Sequence, residues 1–190
     1  MRSSGSTRNP SADAPVRLYL TLTGEDHPRA CTGRRLLERG VADRFPARSG
    51  EAPGPVILDP FASTPLTRVD APAAERGGLL VVDCSWNRLS ERAHLPGTVP
   101  KGRRRRLPIL VATNPQHYGR LAQLNTVEAF AAGLALLGRP DAARRVLAGF
   151  RGSDQFLVVN AERLSAYRAA ADVTELRAAE RTLFGGEPSA

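Results

Sequence analysis

A carboxylate and the only tryptophan of the chain directly follow one apolar segment. Residues 79–82 read Leu-Leu-Val-Val, and Asp83, Cys84, Ser85 and Trp86 come next. An indole beside a carboxylate at the carboxyl end of a buried strand is suited to binding an adenine or another base. Two structural roles stay open, because Trp86 can serve as a core side chain and Asp83 as the N-cap of a following helix.

A second segment predicts an anion site. Residues 109–112 form a short continuous apolar run, which is typical of a strand buried on both faces. A polar loop follows, and Asn125 and Glu128 then have the spacing of a capping box at the start of an amphipathic helix. The N–H groups of a helix start and the positive end of the helix dipole attract anions. This places an anion site near Thr126.

Thr32 is a comparable residue near the start of another predicted helix. It precedes Leu36 and Leu37, so its hydroxyl and its backbone N–H can face a ligand. A role as an ordinary helix cap fits the same position equally well.

An alternation of strands and helices must position these residues. Apolar runs predict strands at 16–22, 56–58, 79–82 and 109–112, and capping residues and apolar spacing predict helices near 32, after 125, over 141–150, after Asn160 and over 173–184. We therefore predict an α/β fold with an N-terminal α/β domain over 16–113 and a mostly helical C-terminal domain over 114–184. A disordered basic tail, 1–15, and a short tail, 185–190, flank them.

The charge of the chain points to a nucleic-acid partner. The net charge is +8 and Lys101 is the only lysine, so the positive charge is almost all arginine. Arginine binds phosphate bidentately and stacks on bases, although genomic base composition also raises arginine content. One basic run lies just before the 109–112 strand, and we predict that it contacts RNA phosphates. It consists of Lys101, Arg103, Arg104, Arg105 and Arg106. The structural alternative is a solvated charged face.

Length and composition narrow the class of protein. A chain of 190 residues can bury a core as one domain or as two small packed ones. Two distant cysteines are too few for a zinc cluster and indicate a reduced intracellular protein. No apolar run reaches the roughly 18 residues of a membrane span, and the N-terminus is polar, unlike a signal peptide. We expect a soluble cytoplasmic monomer that uses no metal.

Several short motifs occur in a characteristic order and spacing. They are Cys31-Thr-Gly33, Leu58-Asp-Pro60, Val82-Asp-Cys-Ser-Trp86, Arg106-Leu-Pro108, Asn114-Pro-Gln-His-Tyr-Gly119, Leu124-Asn-Thr-Val-Glu-Ala-Phe-Ala131, and the set Phe156, Asn160, Leu164 and Tyr167. In these motifs the chain resembles the small-subunit rRNA aminocarboxypropyltransferase family from about Val16 to Tyr167. It lacks long acidic extensions, so it is most similar to the compact archaeal form.

The resemblance implies a fold, a cofactor and a reaction. The fold would be similar to the trefoil-knotted, SPOUT-like RNA methyltransferases, with S-adenosylmethionine in the knotted cleft. Members of the family transfer the 3-amino-3-carboxypropyl group of S-adenosylmethionine to N3 of a hypermodified pseudouridine in small-subunit rRNA. The implied partner is therefore small-subunit rRNA or its precursor particle.

The same resemblance implies which residues bind the cofactor. The cofactor's carboxylate would meet Thr32 and the N–H of Thr126, and the ribose would meet the carbonyl of Val82. Backbone at Leu107 and Ala122 would read the adenine, which would pack among Leu58, Pro60, Trp86, Leu124 and Ala129. Two positions depart from the family pattern, since Ala122 replaces an aromatic residue and Arg151 stands where tryptophan is common.

The implied chemistry needs neither a metal nor a covalent nucleophile. A sulfonium is already a good leaving group, and the carbon held in line with the incoming nitrogen is the one that reacts. Asp83 is the candidate general base for the N3 proton, and its rival role is purely electrostatic. Two other functions stay open: a knotted rRNA methyltransferase, and a non-catalytic rRNA-binding assembly factor.

Overall fold

Five short parallel strands form one sheet in this protein. The computed structural model describes residues 15–23, 32–46, 54–84, 94–95 and 99–185. Within these ranges the strands are β1 (Leu18–Leu22), β2 (Asp43–Arg44), β3 (Val56–Leu58), β4 (Leu79–Asp83) and β5 (Arg103–Arg105). Their spatial order is β2-β1-β4-β3-β5, so β1, β4 and β3 lie inside the sheet and β2 and β5 lie at its edges.

Strands β3 and β4 have the sequences expected of buried parallel strands. Every residue of β3 and β4 is buried, and their register pairs Val56 with Leu79 and Leu58 with Val81. Gly78 precedes β4 with a φ of +87°, and a Cβ there would lie 2.5 Å from the ring of Tyr19. A glycine is therefore required at this junction. The predicted strands at 16–22, 56–58 and 79–82 are confirmed.

Seven helices lie in the described part of the chain, four of them after residue 139. They are α1 (Thr32–Glu38), α2 (Ala71–Gly77), α3 (Thr126–Leu136), α4 (Pro140–Leu147), α5 (Phe156–Val159), α6 (Ala161–Ala169) and α7 (Val173–Phe184). Short 3-10 turns precede α2 and α5. The predicted mixed α/β fold is confirmed at this level, with a parallel sheet first and helices last.

Helix α3 is the central element of the core. Every one of its residues except Ala129 is buried, and a Cβ at Gly133 would lie 2.8 Å from Leu79 of the sheet. The predicted capping box is confirmed, because Asn125 accepts from the N–H of Glu128 and the Glu128 carboxylate accepts from the N–H of Asn125. The same hydrophobic cluster includes Leu20 and Leu176. The expected division into domains at residue 113 stays a prediction.

The predicted central strand at 109–112 is wrong. The edge strand β5 is instead the arginine segment Arg103–Arg105, and it pairs in parallel with β3. Beyond Arg106 the chain leaves the sheet, and side chains of the C-terminal helices bind its backbone. Glu180 accepts from the N–H of Ile109 at 3.0 Å, and the Tyr167 hydroxyl donates to the Ile109 carbonyl at 3.0 Å. Leu110 and Ala112 are thus buried, and Ile109 and Val111 are partly buried, although the run forms no strand of the sheet.

Asn160 has a different role from the predicted one. It precedes α6, but its side chain makes no capping hydrogen bond. Its amide oxygen accepts from the N–H of Val111 at 2.8 Å, and its amide nitrogen donates to the carbonyls of Val111 at 2.9 Å and Phe156 at 3.0 Å. This fully buried amide therefore replaces a strand partner for Val111.

We expect Asn160→Ala to lower the free energy of unfolding by about 2–3 kcal/mol, because backbone groups at Val111 lose their partners. Urea denaturation followed by circular dichroism measures the change. Gln155→Ala removes an exposed amide of similar size and is the matched control. Equal losses in the two variants would contradict the proposed role of Asn160.

Candidate functional site

Asp83 lies at the carboxyl end of β4 and contacts the start of α3. Its side chain is buried, with 8% exposure, and it accepts a short hydrogen bond from the hydroxyl of Thr126. The N–H and the hydroxyl of Thr23 both donate to the Asp83 carbonyl, at 3.2 and 3.0 Å. The backbone of Asp83 at the end of β4 is therefore held by the end of β1, which gives its carboxylate a defined position.

The first turn of α1 lies on another side of the same carboxylate. A Cβ built on Gly33 would lie 2.6 Å from Oδ2 of Asp83, so only a glycine allows this approach. Thr32, which begins α1 as predicted, is the neighbour of Gly33 and is partly exposed. Thr32 and Thr126 are 94 positions apart in the sequence. The starts of their two helices nevertheless both lie beside the carboxylate of Asp83. Two helix N-termini and one carboxylate offer a positive field and a negative charge side by side.

Glu128 fixes the polar loop that leads into α3. Its buried carboxylate accepts from the N–H and hydroxyl of Thr113, from the Asn114 amide and from the N–H of Asn125, at 2.7, 2.9, 2.7 and 3.0 Å. Both ends of the 113–125 loop are thereby tied to the first turn of α3. A buried carboxylate is tolerated here because four donors satisfy it. The capping-box spacing predicted only the contact with Asn125.

The 113–125 loop folds back on the segment before it. Val111 and Leu121 form an antiparallel bridge, and the N–H of Ala122 donates to the Leu110 carbonyl at 2.8 Å. Ala122 has a φ of +59° and is the one described non-glycine residue with a positive φ. Its N–H is engaged, so a ligand contact at the Ala122 backbone would use the carbonyl.

The remaining residues predicted to bind a cofactor fall into three groups. Leu58 and Leu124 are buried in the main hydrophobic cluster, and Leu107 and Ala129 pack partly against it. Val82 belongs to a smaller cluster that includes Tyr19 and Ile57, which leaves its backbone as the relevant group. Pro60 is exposed at the turn after β3. Trp86 lies outside the described residues, so its predicted role is not addressed by the structure.

The basic run before residue 109 is engaged by carboxylates. Arg103 and Arg105 contact Asp70 at 3.2 and 3.0 Å, and Arg104 contacts Asp59 at 2.7 Å. Arg106 makes a two-point ion pair with Glu180, at 2.8 and 2.6 Å. All four arginines pair with acids that lie more than 30 positions away in the sequence, and no local pattern indicates these pairs. Arg103, Arg104 and Lys101 are exposed, whereas Arg105 and Arg106 are only partly so.

Tyr167 and Glu180 complete the support for the segment after β5. Burial and the nearby Glu180 carboxylate raise the pKa of Tyr167 far above its usual range, so the phenol stays protonated and donates to Ile109. Both residues lie in helices of the C-terminal part. Tyr167 and Glu180 support the candidate site by holding the segment that leads into the 113–125 loop.

Two other kinds of feature are absent from the described ranges. In that part of the chain no three His, Cys, Asp or Glu side chains are grouped so as to hold a metal ion. Of the helices the structure describes, none has the length and apolar character needed to cross a membrane.

Comparisons with known proteins agree on one family. The family model "Ribosome biogenesis protein, C-terminal" matches residues 56–184. The 16S rRNA aminocarboxypropyltransferase of Vulcanisaeta distributa is 38% identical over 169 residues, covering 89% of this chain and 88% of that protein. The enzyme of the same name from Halobacterium salinarum is 38% identical over 174 residues, covering 90% of this chain and 99% of that protein.

A solved structure has the same fold. The SAM-dependent rRNA:acp-transferase Tsr3 from Vulcanisaeta distributa superposes with a TM-score of 0.73 and 35% sequence identity, covering 90% of this chain and 98% of the other. Identity at this level over most of both chains, together with the matched family model, makes the assignment secure. The chain belongs to the ribosome biogenesis family of 16S and 18S rRNA aminocarboxypropyltransferases.

Proposed function

We propose that this protein is an S-adenosylmethionine-dependent rRNA aminocarboxypropyltransferase. It transfers the 3-amino-3-carboxypropyl group to N3 of a pseudouridine, with or without an N1-methyl group, in small-subunit rRNA and releases methylthioadenosine during ribosome maturation. Membership of the family supports the reaction, because its relatives carry the name of this activity. The structural observation that supports it most is the position of Asp83 between the first turns of α1 and α3.

The site suits the charges of the donor's amino-acid group. That group is a zwitterion, with an ammonium and a carboxylate on one carbon. The helix starts at Thr32 and Thr126 offer N–H groups and the positive ends of two dipoles to the carboxylate. Asp83 occupies the space between the two helix starts. Two carboxylates repel each other at contact, so the carboxylate of the cofactor binds beside Asp83 and not against it. The ammonium is then the group suited to face Asp83.

The residues around this point suit the nucleoside part. Leu58 and Leu124 are buried in one apolar cluster, and Ala129 and Leu107 lie at its edge. We propose that the adenine packs there, with Pro60 and Trp86 as further walls. The Ala122 carbonyl would accept from the adenine amino group, since the N–H of Ala122 is already bonded to Leu110. The Val82 carbonyl would bind the ribose hydroxyls.

Orientation decides which group of the donor is transferred. The donor supplies a sulfonium, whose neighbouring carbons are all open to attack. Anchoring the amino-acid group at Thr32, Asp83 and Thr126 holds the carboxypropyl carbon at a fixed place relative to the RNA. The N3 proton leaves the base, N3 forms the new bond to carbon, and the electrons of the broken carbon–sulfur bond go to sulfur. Asp83 is the candidate acceptor of that proton.

The finer features of the fold and its setting are part of the proposal. A trefoil knot of the SPOUT-like type is supported by the course of residues 107–113, which run between β5 and the C-terminal helices that bind their backbone. Lys101, Arg103 and Arg104 are the members of the basic run with the exposure needed to contact RNA. We propose further that the protein works as a cytoplasmic monomer and does not associate with membranes.

We expect Gly33→Ala to weaken S-adenosylmethionine binding at least tenfold. The added Cβ would lie 2.6 Å from Oδ2 of Asp83 and would force the carboxylate or α1 to move. Alanine is itself a better helix former than glycine, so a loss of stability of the helix is not the cause. Isothermal titration calorimetry measures the affinity. Gly119→Ala is the comparison, because φ there is +78° and a Cβ would meet nothing within 4 Å, so this variant adds backbone strain but no new contact. Unchanged binding by Gly33→Ala would contradict the placement of the donor.

Label transfer tests the proposed reaction. Two preparations of S-adenosylmethionine, labelled in the carboxyl carbon or in the methyl group, are incubated separately with the protein and unmodified or N1-methylated small-subunit rRNA. We expect the carboxyl label in the RNA and the methyl label in solution. Methyl label in the RNA would indicate a methyltransferase, and no label in any RNA, with RNA still bound, would indicate an assembly factor.

A further inference from the structure

A set of exposed arginines that does not belong to the predicted basic run lies on α1 and around the end of α4. We refer to this set as the α1–α4 arginine surface. It consists of Arg35, Arg39, Arg144, Arg145 and Arg151, all of which are exposed. The run at 103–106 differs from it, because there each guanidinium has a carboxylate partner. On the α1–α4 arginine surface the described residues form one ion pair, in which Arg144 contacts Asp141 at 2.6 Å.

The structure holds two of these cations in place. The guanidinium carbons of Arg35 and Arg39 lie 4.8 and 5.0 Å from the centre of the Phe150 ring, and Arg39 also donates to the Ala148 carbonyl at 3.1 Å. Phe150 is buried, so the ring is a fixed platform. Cation–π contacts favour this arrangement and reduce the entropy that the side chains lose on binding. Two like charges are thus kept close together, which favours an anion as the partner.

The position of this surface relative to the candidate site limits the kind of anion. Helix α1 carries Gly33 against Asp83 at its start and Arg39 just beyond its end, and a helix of seven residues is about 10 Å long. A cleft of about 360 Å³ lined by Arg144 and Arg151 continues the surface past the end of α4. Cations spread over this length match a chain of phosphates that extends from the site better than one small anion.

We propose that the α1–α4 arginine surface binds the sugar–phosphate backbone of the small-subunit rRNA substrate next to the modified nucleotide. This rests on the proposed function, since it assigns a docking surface to the same RNA. Phosphate contacts by arginine position an RNA without reading its sequence. The surface would therefore set the register of the RNA on the enzyme, and the pocket at Asp83 would select the base.

The test is the salt dependence of RNA affinity. Each phosphate contact contributes about 0.7–0.9 to the slope of log affinity against log salt. We expect the triple variant Arg35→Gln, Arg145→Gln, Arg151→Gln to bind a small-subunit rRNA fragment at least tenfold more weakly at low salt and to lower the slope by about 2. Within the described residues none of these three side chains donates a hydrogen bond, and Arg35 alone of the three contacts a ring. The double variant Arg145→Gln, Arg151→Gln therefore serves where the triple variant is unstable.

The matched control removes the same charge elsewhere. Arg68, Arg168 and Arg181 are exposed and lie outside the α1–α4 arginine surface. Their triple glutamine variant should keep the wild-type slope, and both variants should bind S-adenosylmethionine with wild-type affinity. Equal slopes in the two triple variants would contradict RNA binding by the α1–α4 arginine surface and would leave the proposed function intact. A wild-type protein that neither binds RNA nor labels it would overturn both.

Discussion

Asp83→Asn is expected to lower the turnover number by about 10²- to 10⁴-fold, the usual contribution of a general base. Asparagine keeps the size of the side chain and can still accept from the Thr126 hydroxyl, so the change removes charge and proton affinity while packing is retained. Single-turnover kinetics with saturating S-adenosylmethionine and rRNA measure the chemical step. The affinity for S-adenosylmethionine is measured separately on the same variant.

The two measurements separate the roles that Asp83 can have. If Asp83 is a general base as well as the partner of the ammonium, the rate at saturating S-adenosylmethionine falls in addition to the affinity. A purely electrostatic partner of the ammonium predicts weaker binding with little loss of rate at saturation. Asp43→Asn removes an exposed carboxylate of β2 and should change neither quantity. Full activity of Asp83→Asn would remove Asp83 from the mechanism.

Glu128→Ala is expected to lower the free energy of unfolding by about 3–5 kcal/mol and to abolish activity in the protein that remains folded. Four donors at Thr113, Asn114 and Asn125 lose their acceptor at once, in a place that water does not reach. The 113–125 loop then loses its attachment to α3, and with it the position of Thr126. Urea denaturation gives the stability, and calorimetry at low temperature gives the affinity of the folded fraction for S-adenosylmethionine.

Two variants define the origin of that loss. Glu128→Gln keeps one acceptor oxygen but presents an amide to donors, so we expect an intermediate destabilisation. Glu162→Ala removes an exposed carboxylate on α6 and should cost less than about 0.5 kcal/mol. If Glu128→Ala and Glu162→Ala were equally stable, Glu128 would not be the fixing point of the loop.

The parts of the fold that could be predicted from sequence are those with local causes. The apolar runs at 56–58 and 79–82 became β3 and β4 because nothing polar interrupts them. α1 begins at Thr32, Asn125 starts α3 because its side chain caps that helix, and α7 occupies the predicted residues 173–184. Asp83, Thr32 and Thr126 could be proposed as site residues because strand ends and helix starts have known binding properties.

The parts that could not be predicted depend on distant partners. Residues 109–112 have the composition of a buried strand, but Glu180, Asn160 and Tyr167 bind their backbone in place of a neighbouring strand. Arg103–Arg105 is too polar to suggest a strand, yet it forms β5 because Asp59 and Asp70 neutralise its charges at the edge of the sheet. The close approach of α1 to Asp83 depends on Gly33, and nothing in the local sequence indicates that contact.

The identity of the spent donor tests the proposed reaction most directly. The purified protein is incubated with S-adenosylmethionine and small-subunit rRNA, and the small-molecule product is identified by mass spectrometry. The group left on sulfur reports which carbon was transferred, whatever the target nucleotide. We expect methylthioadenosine, formed only when the RNA is present. S-adenosylhomocysteine would contradict the proposed transfer and the orientation of the donor between Thr32, Asp83 and Thr126.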